Sequence, residues 1–332
     1  AAQRSAYELE SLVFLLISIG AAVTAAYDPA SLYKLLITVV MGMVLFLAMS
    51  GVLRDLHLSI RARWPVAIAA GALLAFNVVL GERIFGAKNW ISIGPLSFQP
   101  SELVKIAFIL AGAATLDRLF AKRNLVFTIL FSAYCVGCLA LMSDFGTALI
   151  FFVAFLCIAF LRTGDLPSIA MMVAAAAFGC GIILRFKPYI ADRFAAWRHA
   201  WDYAQDIGYQ QTRTMSAMAS GGLFGVGPKD GWLKYVGAAN TDLVFGVVGE
   251  EFGFLLALCC VAALVIPIVF TLRCAAAARS SFYTILSCAT AAMLVCQMAL
   301  NVLGAVDLLP LTGVTFPFVS MGVKIDINCA RE

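Results

Sequence analysis

Glu102 and Lys105 stand in FQPSELVKIAFIL, Phe98 to Leu110, where a loop-like start gives way to an apolar run. At a spacing of i, i+3 they share one helix face. They can form a mutual ion pair or a charged cavity wall. Asp144 lies in LMSDFGTALI with apolar runs on both sides and almost no loop between them. Its oxygens suit a cap on the following helix or a place in a polar site. Asp242, after Asn240 and Thr241, opens another apolar run, and Glu250 and Glu251 follow two turns deeper. Gln297, Asn301 and Asp307 fall on nearly one face of a later run. Such amide stripes generally join helices. An ionisable side chain near the centre of a membrane helix costs about 2.5–3.5 kcal/mol on insertion scales, so it faces a cavity or a partner. The residues together suggest a polar cavity open to one side of a membrane. That cavity suits either the headgroup of a lipid-linked substrate or a transporter vestibule.

The membrane itself is read from composition. The chain has 332 residues, 63% hydrophobic and 13% charged, with mean hydropathy +0.96. A soluble domain carries roughly 25% charged residues. The expected fold class is an all-α integral membrane protein, a polytopic helical bundle, with 1–332 forming a single domain. The net charge of +4 gives no reason to expect nucleic acid. Most of the ten cysteines lie inside apolar runs, where they act as small hydrophobes. Cys135 and Cys138 form a CxxC without a second pair, and His57 and His199 are too few for a histidine metal centre. The start of the chain lacks the form of a cleaved signal, so the first span is expected to do the targeting.

About nine runs are long and apolar enough to cross. They are Leu12–Tyr27, Leu35–Val52, Pro65–Gly81, Leu103–Leu116, Leu125–Met142, Thr147–Leu161, Ile169–Leu184, Leu243–Leu272 and Phe282–Val306. The short loops after even-numbered spans carry most of the Lys and Arg: RDLHLSIRAR, DRLFAKR, LRTGD and LRCAAAAR. By the positive-inside rule these face the cytoplasm, and so does the N-terminus. The 81–102 loop, the SDFG turn and a long loop over 185–242, between spans seven and eight, then face outward. Within that long loop Ile190, Phe194, Trp197 and Trp201 recur at helical spacing, which predicts an amphipathic helix on the membrane surface. The stretch SGGLFGVGPKDGW is glycine-dense and predicts a flexible or tightly turning loop.

Six ordered stretches resemble one family. GAKNWISIGPLSFQPSELVKIAFIL, SDFGTALI, KPYIADRF, GYQQTRTMSAMASGGLFGVG, NTDLVFGVVGEEFGF and LPLTGVTFPFVSMG span about 85–322. Their order and spacing resemble the SEDS family, the RodA, FtsW and SpoVE proteins of bacterial shape, division and sporulation. The resemblance implies a peptidoglycan glycosyltransferase of the bacterial inner membrane. Such an enzyme polymerises lipid II, the polyprenyl-diphosphate-linked disaccharide-pentapeptide, at the outer face. It implies as partners a class B penicillin-binding protein and other elongation or division proteins, and a family pattern of ten spans. A lipid II flippase and a non-catalytic scaffold for the penicillin-binding protein are the alternative roles.

Carried onto this chain, the resemblance makes Asp242 the catalytic candidate, as general base toward the incoming sugar hydroxyl. It makes Lys88, Trp90, Glu102, Lys105, Asp144, Arg193, Gln210 and Ser320 the substrate-binding candidates. Lys105, Arg193 or a divalent cation, Mg or Mn, would meet the charge of the departing diphosphate. No metal-ligand spacing stands out, so the metal ligands are unassigned. The chain departs from the family pattern at Asn240, in the absence of a proline before Asp144, and in the polar tail 323–332, which is too short to cross a bilayer.

Overall fold

The structure is a computed structural model and describes residues 7–84, 87–93, 96–116, 122–278 and 280–320. The tail 323–332 lies outside them. The described chain is overwhelmingly helical, in agreement with the membrane-protein reading. Its helices are α1 (Glu8–Tyr27), α2 (Leu32–Arg54), α3 (Leu56–Leu80), α4 (Pro100–Leu116), α5 (Lys122–Leu141), α6 (Phe145–Thr163), α7 (Leu166–Phe186), α8 (Pro188–Ala196), α9 (Tyr209–Gly221), α10 (Val244–Glu251), α11 (Phe254–Ala277) and α12 (Ser281–Ala305). Seven of them, α1, α2, α3, α6, α7, α11 and α12, are long and apolar enough to cross a membrane, and Val126–Leu141 of α5 is a shorter apolar helix. The remaining predicted span, Leu103–Leu116, lies within α4.

The boundaries have local causes. Asp55 accepts from the His57 amide at 2.9 Å and caps α3. Gly164 ends α6 in the left-handed region, at φ +63, and α7 follows with a proline in its first turn. Pro100 is the first residue of α4, where its missing amide hydrogen costs nothing.

Two compact units divide the chain. One is built from the described residues of Ala30–Gly164 and Leu272–Met293. In it Phe108 lies 5.8 Å from Phe131 and 5.0 Å from Phe151 between ring centroids, which packs α4, α5 and α6 together. Tyr283 on α12 donates to the Leu53 carbonyl at 2.7 Å. The 81–98 stretch, expected only as a loop, forms a three-stranded antiparallel sheet: β1 (Glu82–Ile84), β2 (Ala87–Ile93) and β3 (Leu96–Phe98).

The other unit is built from the described residues of Ala1–Pro29, Asp165–Thr271 and Leu294–Met321. Three of its features differ from the sequence expectation. The run Leu243–Leu272 is not one helix but two, α10 and α11. The break falls at Gly253, with φ +90, where a Cβ would lie 2.4 Å from the Leu223 carbonyl. The glycine-dense loop presses on the chain there, and hydropathy is blind to that contact. The surface helix is also shorter than the periodicity predicts. It ends at Ala196, leaving Trp197 and Trp201 beyond it. The Trp197 indole donates to the Leu308 carbonyl and the Arg198 amide to Asp307 Oδ1, both at 3.0 Å. Those bonds to the 307–308 turn replace the next helical turn. Finally, α9 occupies a stretch for which no helix was expected.

Candidate functional site

The candidate residues fall into two groups, one in each unit. The first surrounds Asp242. Its amide donates to the Ala238 carbonyl at 3.0 Å, closing a tight turn in which Ala238 holds φ +66. The turn delivers a half-buried Asp242 just before α10 begins at Val244. Three side chains hold the turn by its backbone. Asn301 on α12 donates to the carbonyl of Asp242 at 2.9 Å and to that of Val314 at 2.7 Å. Ser320 donates to the Thr241 carbonyl at 2.7 Å and accepts from the Phe316 amide at 2.8 Å. Gln210 on α9 donates to the Gly237 carbonyl at 3.1 Å.

Arg193, on α8, reaches the same place. Its Nη1 donates to the Leu311 carbonyl at 3.0 Å. A Cβ built on Gly313 would stand 3.3 Å from Asp242 Oδ2 and 3.9 Å from Arg193 Nη1. Gly313 has φ +73, so glycine there serves both the backbone and the approach of the two charged groups. Gln297 donates to the Thr315 carbonyl at 3.1 Å and steadies the same 311–320 segment. Gln297 and Asn301 thus join α12 to a loop and to the Asp242 turn, rather than simply to another helix.

Glu250 and Glu251, at the far end of α10, are both buried. Glu250 accepts from the amides of Trp232 and Leu233 at 2.8 and 3.0 Å. Glu251 Oε2 has no hydrogen-bond partner among the described residues. Burial pushes the Glu251 carboxyl above its usual range; the Lys229 amide and Lys234 oppose this, while Glu250 and Asp230 add to it.

The second group is centred on Asp144. Its Oδ2 accepts from Asn89 and from Gln99, each at 3.1 Å, and its Oδ1 accepts from the Thr147 amide at 3.1 Å. One buried carboxylate therefore ties together β2, the entry to α4 and the start of α6. Lys88 is tied there too: its amide donates to the Met142 carbonyl at 2.8 Å. Trp90 is buried in the same strand. On α4, Lys105 Nζ lies 2.8 Å from both carboxylate oxygens of Glu102, so these charges meet each other. Lys105 is only 5% exposed, whereas the Glu102 side chain is 43% exposed.

The structure thus brings Asp242, Arg193, Gln210 and Ser320 together in one unit, and Lys88, Trp90, Glu102, Lys105 and Asp144 together in the other. Asn89 and Gln99 were not anticipated. Their signal was only that each is an amide next to a recognisable motif, in KNW and in FQPSE. Among the described residues no group of three or more His, Cys, Asp or Glu could hold a metal ion.

The family model of the FtsW, RodA and SpoVE cell cycle proteins matches residues 9–323. The chain belongs to this family. It is 29% identical over 267 residues to the probable peptidoglycan glycosyltransferase FtsW of Borreliella burgdorferi, covering 78% of this chain and 73% of that one. It is 29% identical over 322 residues to the peptidoglycan glycosyltransferase RodA of Mycobacterium leprae, covering 90% of this chain and 68% of the relative. Its fold matches a chain in a structure described as coordinating polymerization and crosslinking in a peptidoglycan synthase complex. There the TM-score is 0.77 at 26% identity, over 97% of this chain and 93% of that chain. As a member of this family the chain is a multi-pass membrane protein.

Proposed function

We propose that this protein is a peptidoglycan glycosyltransferase that joins lipid II units into glycan strands, with Asp242 as its general base. The observation that carries the reading is the Asp242 carboxylate, held on a backbone-locked turn beside the Arg193 guanidinium. In the reaction, the 4-hydroxyl oxygen of the acceptor sugar attacks the anomeric carbon of the donor. Asp242 takes the hydroxyl proton as the bond forms. The anomeric carbon–oxygen bond to the diphosphate breaks with inversion, and the polyprenyl diphosphate leaves with the electron pair. Arg193 is the cation suited to that developing charge. Lys105 is committed to Glu102.

A divalent ion such as Mg or Mn usually binds through one or two carboxylates together with substrate phosphates. Such an ion would supply neutralising charge to the diphosphate, with Asp242 kept as the base and the ion's protein ligands unassigned. The positive-inside pattern supports a cytoplasmic N-terminus, an outward-facing 185–242 loop and an outward-facing site in the bacterial inner membrane. A class B penicillin-binding protein is the fitting partner, because the strands must be crosslinked. The tail 323–332 forms no part of this catalytic reading.

The test uses the purified full chain with fluorescent lipid II, with and without a transpeptidase. Glycan ladders that vanish in Asp242→Asn, while the variant keeps its unfolding midpoint, are the expected result. Ladders of normal length from that variant would remove Asp242 from the chemistry. Transbilayer movement of lipid II without ladders would replace the enzyme by a flippase.

A further inference from the structure

Helix α12 ends on a residue whose type is unusual for its conformation. The amides of Asp307 and Leu308 donate to the carbonyls of Gly304 and Leu303 at 3.4 and 2.8 Å. Many helices end in this pattern, with a left-handed residue, usually glycine, where Asp307 stands. Asp307 takes that conformation, at φ +59, although a Cβ disfavours it. Its carboxylate supplies what glycine lacks. Asp307 Oδ1 accepts from the Arg198 amide at 3.0 Å and from the Gln211 side chain at 3.2 Å. Gln211, buried on α9, also donates to the Gly304 carbonyl at 3.2 Å. One carboxylate oxygen thus joins the end of α12 to α9 and to the chain leaving α8.

The same segment holds α8 at two further points. Arg193 and Trp197 stand about one helical turn apart. The Trp197 indole donates to the Leu308 carbonyl and Arg193 Nη1 to the Leu311 carbonyl, both at 3.0 Å. Gly313, two residues on, is the point at which Arg193 Nη1 and Asp242 Oδ2 come close. Asn301 fastens the far end of the segment at the Val314 carbonyl. A helix of nine residues is marginal by itself, and an arginine side chain has many rotamers. Where the guanidinium stands therefore depends on what holds α8.

We propose that Asp307 and Trp197 are positioning residues for Arg193. They fasten the end of α8 to the 307–311 segment and so set the guanidinium beside Asp242, where it meets the charge of the departing diphosphate. This role rests on the reading of Asp242 as base and of Arg193 as the cation of the leaving group. Asp307 and Trp197 act through Arg193 and not on the reacting atoms. The choice of Asp at a position whose backbone favours glycine follows, because the carboxylate is what secures α8.

The test uses the full chain with Asp307→Gly, which suits the left-handed backbone and removes only the carboxylate. Asp307→Asn keeps an acceptor oxygen, and Trp197→Phe keeps a ring while losing the indole donor. Hydrogen exchange over 190–198 and the rate of lipid II polymerisation are measured. For Asp307→Gly the expected result is an unchanged unfolding midpoint with exchange faster by roughly tenfold, as local opening of α8 requires. Its kcat should fall by roughly 10–100-fold, the scale of a misplacement of about 1 Å. Trp197→Phe should show the same two changes in smaller measure, and Asp307→Asn should restore most of both. Combined with Arg193→Lys, Asp307→Gly should add little further loss, because residues that act as one unit are not additive. Losses that multiply in the double variant would overturn the role. So would an unchanged kcat in Asp307→Gly, whether or not exchange rises. If the wild-type chain makes no glycan ladders, the glycosyltransferase reading falls by itself. Faster exchange in Asp307→Gly then still supports the hold on α8, and unchanged exchange overturns it.

Discussion

The side-chain amide of Asn301 bridges two carbonyls, that of Asp242 at 2.9 Å and that of Val314 at 2.7 Å. A buried residue on α12 thus sets the backbone from which the candidate base projects. Replacing Asn301 by Ala frees that turn, and a misplacement of about 1 Å can cost about 100-fold in rate. The expected outcome is kcat lower by roughly 10–100-fold with KM little changed, because the substrate contacts survive. Steady-state polymerisation at varied lipid II checks this. A raised KM with intact kcat would assign Asn301 to substrate binding instead.

The buried Asp144 carboxylate accepts from Asn89, from Gln99 and from the Thr147 amide. Hydrogen bonds to a charged group contribute about 1.5–3 kcal/mol each, so Asp144→Ala should lower stability by about 2–4 kcal/mol after relaxation. The unfolding midpoint of the purified chain reports it. If the midpoint held and polymerisation alone were lost, Asp144 would be a substrate contact rather than a hub.

The Glu102–Lys105 pair should respond asymmetrically. Glu102→Gln withdraws a carboxylate from a buried ammonium and should cost about 1–3 kcal/mol. Lys105→Met leaves a partly exposed carboxylate in a better-solvated place and should cost under about 1 kcal/mol. Thermal unfolding of both single variants and the double variant separates the two costs. Equal losses would contradict the burial difference.

Glu251 has its folded-state pKa raised, chiefly by burial. The folded protein therefore holds a proton that the unfolded chain releases near the ordinary value of 4.5. This contribution to stability is complete below that value and is lost as pH rises through the raised folded pKa. Glu251→Gln, which cannot titrate, should flatten that decline. Unfolding midpoints measured across the window provide the comparison, and an unchanged slope in the variant would remove Glu251 as its cause.

The sequence by itself determined the spans and the candidate residues. A helix in lipid must satisfy its own backbone over about 20 apolar residues. That local demand leaves its mark as hydropathy, with a cap such as Asp144 close to the end of a run. The roles of Asp242 and Arg193 came from the family resemblance of their stretches. Tertiary structure alone decided what those residues touch. The Leu243–Leu272 run reads as one helix until the glycine loop meets Gly253. The surface helix reads through Trp197 until the 307–308 turn offers its indole and the next amide better partners. Asn301 lies 59 residues from Asp242 and Gln99 lies 45 from Asp144. Nothing periodic links residues so far apart in sequence. Their pairing follows from packing, which must satisfy every buried polar group with whatever partner the fold brings near.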